Sequence, residues 1–410
     1  MAKKSSKIYI IGAGISGLVA AKTLEENGYT ATLLEATREP GGRVKTATID
    51  GVRFDHGFQV LLTDYPQAKK HLNYDALNLH YFKPGALIFK DGKTERIGDP
   101  LRDRSAFWPT LSASIGSLGD KFRIYQLTRK LKAKSIAQIF ATEEQSTSDY
   151  LKAYGFSEAI IHNFFKPFFT GIFLEEELNT SSRLFEFVFK MFGEGYAALP
   201  AKGIGAMAGQ LAGNLTQSEF QYETEVSKVS AKEVHLKNGK KLKADAVIST
   251  LPLDTNGQIA TQKVAWKSCD NLYFTVEKQT FETGIIGLVA NTNCLTNNLY
   301  YLFEQQQNGD AVLSVTVVKK HQKSEAELVG AVVQELKKEC SIQVKTFIKN
   351  YHIQQALPDI KNLSMEPSSS SIKHPLGIYM AGDHNLSGSL NAAMASGEAA
   401  ANAVISDLKA

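Results

Sequence analysis

The sequence predicts an α/β protein: a parallel sheet assembled from chain segments far apart in sequence, with an α+β domain inserted between them. Three observations carry that expectation. A glycine-rich turn lies between a β-rich run and a helical run near the N-terminus. A second β-rich run, a turn and a small-residue helix close the chain, and the stretch between the two ends changes from helical to β-rich. At 410 residues the chain is too long for one simple core, so two or three domains are expected.

The elements follow in order. Residues 7–11 are β-rich, 18–27 have helical spacing and stop at Gly28, and 30–34 are β-rich again, which makes one βαβ half-unit. From about 103 to 192 the chain is helical and aromatic. A glycine-rich entry to another helix spans 199–215. Residues 219–250 read as β-structure, with Asn238-Gly239 as a hairpin turn between 234–236 and 241–242. Residues 245–250 form a short buried strand ending at Leu251-Pro252. A further β-rich block runs over 271–318, and the chain closes with a strand at 377–381 and a helix over 390–408.

Bulk composition excludes several classes. Hydrophobic residues make up 43% and charged residues 21%, and the net charge of +4 is too small and too evenly mixed to argue for nucleic acid. Cys269, Cys294 and Cys340 are odd in number, widely spaced and free of any CxxC pair, so neither a disulfide framework nor a metal site is expected; a reducing cytoplasm fits. Lys3, Lys4 and Lys7 before the apolar run 8–21 imitate a secretory leader. That run instead holds three glycines at loop spacing and lacks a small-x-small cleavage pattern, so a strand and helix of the mature protein are expected. No stretch reaches the roughly 18 apolar residues of a spanning helix.

The motif itself is Gly12-Ala13-Gly14-Ile15-Ser16-Gly17, a GxGxxG between strand and helix. Its first glycine permits the tight turn, the second lets backbone N–H groups approach a pyrophosphate, and the third lets helix and strand pack closely. Phosphates there meet the positive end of the helix dipole. Glu35 ends the next strand, 18 positions after Gly17. A carboxylate at that place accepts ribose hydroxyls and repels a 2′-phosphate, so NADP is disfavoured.

Glu35-Ala36 is followed by Arg38-Glu39-Pro40-Gly41-Gly42-Arg43-Val44. With these residues the chain resembles the flavin-dependent amine oxidase superfamily, which includes monoamine and polyamine oxidases, protoporphyrinogen oxidase and phytoene desaturases. The resemblance implies FAD as cofactor and a Rossmann-like FAD-binding domain. Gly41 and Gly42 let the chain pass close to the cofactor, and Arg43 offers a fork of donors to phosphate oxygens. Ala381-Gly382-Asp383 and the helix opening 388–397, with Ser389, Leu390 and Ala392, resemble the C-terminal motif of the family. There the aspartate holds the ribityl and pyrophosphate region and the helix N-terminus points at the N1–C2=O edge of the flavin. Val226 matches the backbone valine that contacts the adenine, with a β-rich core as its plainer reading. Gly57 and Phe58, in the block 54–59, match the turn beside the isoalloxazine.

The implied division is an FAD-binding domain of 1–100, 196–255 and 356–410, and a substrate domain of 101–195 and 256–355. The aromatic stretches 163–169 and 185–192 read singly as helical core, and as a group suit a pocket for an apolar, elongated or ring-containing substrate. Lys121–Lys134 carries six basic residues and no acidic one; a solvated helix face is the plainer reading, and an interfacial patch for anionic lipid the sharper one. Amine oxidases of the family place a lysine, water-bridged to flavin N5, in the strand after the Leu-Pro turn. Here Leu272 aligns with it and Lys267 lies close by. The Ser-Cys-x-x-Leu pattern is more similar to the carotenoid desaturase branch. No acid–base pair stands out; His56 is the nearest candidate, with a structural role its plainer reading.

The expected activity is FAD-dependent hydride transfer from a small apolar organic substrate, with oxygen or a quinone as the electron acceptor. The alternatives are an amine oxidase releasing peroxide, a non-redox flavin isomerase, and a flavin-binding protein without catalysis. The expected location is cytoplasmic, with peripheral membrane contact through Lys121–Lys134.

Overall fold

Side chains along the first strand face two different layers in turn, and that alternation sets the stack. The computed structural model describes residues 6–100, 102–305, 309–361 and 363–409; Lys3 and Lys4 of the leader-like stretch lie outside them. Strand Ile8–Ile11 pairs in parallel with Ala31–Leu34 on one side and Ala246–Ser249 on the other. Glu219–Gln221 and Tyr379–Met380 extend the two sides, so five strands from both ends and the middle of the chain run in parallel. Ile8, Ile10, Leu33 and Ile248 face helices Ile15–Glu26 and Leu390–Lys409, against Leu18, Ala400 and Val404. Ile11, Leu34 and Val247 face the other way, onto Val226, Val229, Val234 and Leu236. These belong to the antiparallel sheet Val226–Val229, Glu233–Leu236 and Lys241–Lys243, whose last hairpin turns at Gly239 with φ +88°. The period-2 pattern thus feeds a three-layer stack.

The first helix begins at Ile15, not at Leu18, because the residues of the GxGxxG turn form its opening turn: Leu18 N–H already donates to the Gly14 carbonyl at 3.0 Å. The last strand covers only Tyr379–Met380 of the expected 377–381. A methyl group at Gly397 would overlap the Ser16 carbonyl oxygen, so the C-terminal helix lies directly against helix Ile15–Glu26. That contact locks the two ends of the chain together.

A seven-stranded sheet forms the second body, in the spatial order 344–358, 266–276, 311–317, 296–305, 286–289, 85–90, 93–98. All its neighbours are antiparallel except 286–289 with 85–90. Strands Gly85–Lys90 and Lys93–Gly98, assigned from the sequence to the dinucleotide-binding segment 1–100, hydrogen-bond into this sheet instead. Helix Glu325–Cys340 covers one face through Leu328, Val332 and Leu336, against Leu272, Phe274 and Val315. A cluster of helices between 107 and 194 covers the other. Its centre is Phe165, Phe169 and Phe185, all fully buried, with Phe169 and Phe185 centroids 4.7 Å apart. Each fully buried phenylalanine contributes about 2 kcal/mol to that core.

Candidate cofactor and substrate site

The loop after strand Ile8–Ile11 is shaped by backbone. Gly12 has φ +93°, and a Cβ there would fall 2.5 Å from Thr250 Oγ1. A Cβ on Gly17 would overlap the Gly12 carbonyl oxygen, so the helix packs onto the loop only with glycine. Ile15 and Ser16 follow the N-cap Gly14 in the first turn and are buried. Gly41 N–H donates to the Ala13 carbonyl at 2.9 Å, and Gly14 bridges Gly41 in parallel. Gly41 (φ +128°) and Gly42 (φ +62°) bring this second loop so close that a Cβ on Gly42 would lie 3.3 Å from Gly14 Cα. Two glycine loops therefore face each other at the positive end of a helix, a cradle that any side chain would fill.

Glu35 is buried at the end of its strand. Its carboxylate accepts from Ala13 N–H at 2.8 Å, Thr37 N–H at 2.9 Å and Thr37 Oγ1 at 2.8 Å. A carboxylate has about four acceptor positions, so about one is left for a ribose hydroxyl. Ala36 continues this edge beside residues 221–224, where Thr224 N–H donates to the Glu35 carbonyl at 2.8 Å. Val226 is buried against the same layer as Ile11 and Leu34.

Across 340 residues of sequence, Arg43 forms an ion pair with Asp383, which is 7% exposed. The guanidinium also lies over the Trp266 ring, 5.2 Å from its centroid. Gly382 holds φ +118°, and its N–H donates to Ser396 Oγ at 2.9 Å, while Gly388 N–H donates to the Asp383 carbonyl at 3.1 Å. Ser389 Oγ accepts from Ala392 N–H at 3.1 Å and caps the helix Leu390–Lys409; Ala392 is fully buried. The N- and C-terminal motifs thus meet at one place.

The turn 54–59 adjoins them, since Gln59 Nε2 donates to the Arg43 carbonyl at 3.0 Å. Gly57 has φ +89° and Phe58 packs 4.4 Å from Tyr300, centroid to centroid. Asp55 is buried, and accepts from Thr46 Oγ1 at 2.6 Å and Ile204 N–H at 2.9 Å; burial pushes its carboxyl up to about 6. A shallow cleft opens beside it, lined by His80, Leu199, Tyr300 and Phe303 among others. His56 stacks on Tyr351 at 4.2 Å, and burial lowers its pKa, which suits a packed ring.

Strand Trp266–Val276 supplies the sheet side of the site. Leu272, the residue aligned with the family lysine, points into the outer core beneath helix Glu325–Cys340. Its neighbours face inward. The Tyr273 hydroxyl donates to the Asp55 carbonyl at 2.8 Å, and Asn271 joins Ser314, Thr316 and Asn298 in a buried hydrogen-bonded chain. Lys267 Nζ pairs with Glu175 at 2.7 Å, tying the sheet to the helical cluster.

Three residues of the site escaped the sequence reading. Thr250 donates from Oγ1 to the Ile11 carbonyl at 2.8 Å and walls the Gly12 turn. Trp266 backs Arg43. His384 follows Asp383 with its ring folded over Gly382; burial lowers its pKa, and its buried Nε2 has no partner. Only the Gly-Asp-His adjacency hinted at the last one.

A cradle of paired glycine loops, a strand-end carboxylate and an orphaned buried imidazole nitrogen suit a two-nucleotide cofactor, and define a Rossmann-type dinucleotide-binding protein. Residues 15–405 match the model of the family described as flavin containing amine oxidoreductase. The chain belongs to this family, and FAD is its cofactor. It is 26% identical over 170 residues to protoporphyrinogen oxidase 2, chloroplastic/mitochondrial, of Arabidopsis thaliana, which is 42% of this chain and 33% of that protein. It is 27% identical over 169 residues to 4,4'-diapolycopene oxygenase of Methylomonas sp, 37% of this chain and 31% of that protein. The matched stretch therefore spans about a third of either curated relative. A crystal structure of a putative protoporphyrinogen oxidase from Exiguobacterium sp. 255-15 superposes with a TM-score of 0.70 at 19% identity, covering 98% of this chain and 99% of that one, which establishes the fold.

Proposed function

We propose that this chain oxidises an apolar organic substrate by hydride transfer to FAD, in the manner of a dehydrogenase or desaturase. One observation carries the choice: the inner face of strand Trp266–Val276 offers Asn271 and Tyr273, while its sole lysine is held by Glu175 and Leu272 faces away. No amine-oxidase lysine is presented there.

In this reading Gly12, Gly14, Ile15, Ser16, Gly17, Gly41, Gly42 and Arg43 hold the pyrophosphate, Glu35 and Ala36 the adenosine ribose, and Val226 the adenine. Gly382 and Asp383 hold the ribityl region, and Gly57, Phe58, Ser389, Leu390 and Ala392 border the isoalloxazine. Bound FAD supplies the two-electron acceptor. The chain supplies the rest. The N-terminus of helix Leu390–Lys409 would offer its positive dipole end to an isoalloxazine held beside Ser389 and Leu390. Phe58, Tyr300 and the aromatic helices exclude water and orient an apolar substrate. The FAD-binding part comprises 1–100, 196–255 and 356–410, less the two strands at 85–98, and the substrate part takes the remainder. Oxygen or a quinone would serve as the electron acceptor, and the protein would work in the cytoplasm with an anionic lipid contact near Lys121–Lys134.

The test is anaerobic mixing of the FAD-loaded protein with long-chain polyenes, cyclic tetrapyrrole precursors and primary amines in parallel. Bleaching near 450 nm is expected with one of the apolar classes and not with amines. Rapid bleaching and peroxide release with amines would overturn the reading, and so would full turnover with no net reduction of any acceptor.

A further inference from the structure

We propose that helices Phe107–Ser112 and Leu118–Ala133 together form a docking surface for an anionic lipid bilayer, with an apolar end that inserts and a basic end that rests on headgroups. The inference builds on the lipid contact proposed above and relocates it. Six of the ten large hydrophobic side chains exposed among the described residues fall within 107–125: Trp108 is 73% exposed, Leu118 65%, Phe122 59%, Phe107 49%, Leu111 44% and Tyr125 43%. Scattered exposed apolar residues need no explanation, but a cluster of this kind does.

The cluster is one surface because the two helices are clasped. Lys121 Nζ donates to the carbonyls of Leu111 and Ala113, each at 2.8 Å, at the C-terminal end of the first helix. On the second helix Leu118, Phe122, Tyr125, Arg129 and Lys132 recur every three or four residues and form one exposed stripe. Its opposite side, through Leu127 and Leu131, is buried in the aromatic core. Apolar residues occupy the N-terminal half of the stripe, and the exposed Arg129, Lys130 and Lys132 the C-terminal half.

Along the two helices the exposed charge is of one sign, and the carboxylate that reaches them from another element, Glu95, is bonded to Ser114. Asp120 is the only acidic residue between 104 and 142; it is fully buried and bonded to Ser117 and Ser157. Three of the six basic residues in Lys121–Lys134 are engaged internally: Lys121 with the carbonyls above, Arg123 with buried Asp120 at 3.9 Å, and Lys134 with buried Glu186 at 2.9 Å. The run alone therefore overstates the cationic surface and misses the apolar half, which lies mostly upstream of it. An aromatic and aliphatic tip beside unopposed cations is the chemistry of a monotopic interfacial helix. A second copy laid on this face with its helices parallel would bring Arg129, Lys130 and Lys132 against their own kind.

The FAD-loaded protein is to be floated with vesicles of phosphatidylcholine alone and of phosphatidylcholine mixed with phosphatidylglycerol. Binding is expected to the mixed vesicles only, and to fall with salt. Replacing Trp108→Ser and Phe122→Ser together should abolish binding. Arg129→Gln and Lys132→Gln should each weaken it about fivefold. All four positions are exposed, so the variants keep their fold, and their yellow colour and bleaching near 450 nm serve as the check. Equal affinity for neutral vesicles, no vesicle binding, or variants that bind like the parent would overturn the proposal. So would a concentration-dependent dimer that Trp108→Ser dissolves, which would make the face a protein interface. Loss of vesicle binding with the flavin chemistry intact leaves the oxidoreductase reading untouched, and the converse holds as well.

Discussion

The two sides of the site are built from different materials. On the dinucleotide side, backbone does the work: Gly12, Gly17, Gly41 and Gly42 hold conformations or separations that a Cβ would destroy. On the facing side, the inner face of the seven-stranded sheet, side chains do it: Asn271, Ser314, Thr316 and Asn298 satisfy one another in a buried chain, Tyr273 bonds the Asp55 carbonyl, and the Asp55 carboxylate is held by Thr46 and Ile204. A backbone cradle restricts residue type so tightly that it leaves a spelling in the sequence. A side-chain lining can be met by many combinations, and can be retuned to a new substrate without disturbing the cofactor.

That contrast predicts unequal responses to mutation. The largest belongs to Gly17→Val. With no room beside the Gly12 carbonyl, the variant should lose its flavin entirely and fall in stability by about 3 kcal/mol, read from absorbance at 450 nm and urea unfolding. Yellow protein of normal stability would break the comparison.

Asp55 tests the side-chain face by pH. Its carboxyl sits at about 6 in the folded chain against an ordinary 3.8, so the native state holds its proton more tightly than the unfolded one. The associated stability is fully present below the ordinary value and is lost as pH rises through about 6. Asp55→Asn keeps an acceptor for Thr46 and Ile204 but cannot ionise. Its stability relative to the parent should rise by up to about 3 kcal/mol between roughly pH 4 and pH 7. A pH-independent difference would show that Asp55 ionises as freely as a surface carboxylate.

Asp383→Ala removes the partner of Arg43 at the junction of both motifs. FAD affinity should drop roughly thirtyfold, or about 2 kcal/mol, with a smaller change in the stability of the FAD-free chain. Lys267→Met breaks the tie to Glu175 and should lower stability by about 1.5 kcal/mol while substrate-dependent bleaching persists. Loss of bleaching with stability unchanged would instead restore Lys267 as a catalytic lysine. The smallest effect is expected at Glu35→Gln, where the stabilisation conferred by ADP should shrink by about 1 kcal/mol, measured as a shift in melting temperature.

The sequence by itself determined the two glycine loops of this protein and the cofactor they imply. The strand and glycine turn at 8–17, the glutamate at 35, the GGR at 41–43 and the Gly-Asp at 382–383 were legible, because close backbone approach and positive φ admit few residues at fixed spacing; the helix that follows opens three residues earlier than its spacing suggested. The Asn238-Gly239 hairpin was legible for the same reason.

Tertiary structure decided what depends on facing and on distance. It alone moved strands Gly85–Lys90 and Lys93–Gly98 into the second sheet, since pairing partners 200 residues away carry no local mark. It turned Leu272 outward and Asn271 and Tyr273 inward, a choice of pleat phase that an alternating strand leaves free. It joined Arg43 to Asp383, drew His384 into the site, and set Trp108 and Phe122 on the same exposed surface as Arg129. In each case the energy lies in contacts between distant segments, and no local pattern encodes which segment will arrive.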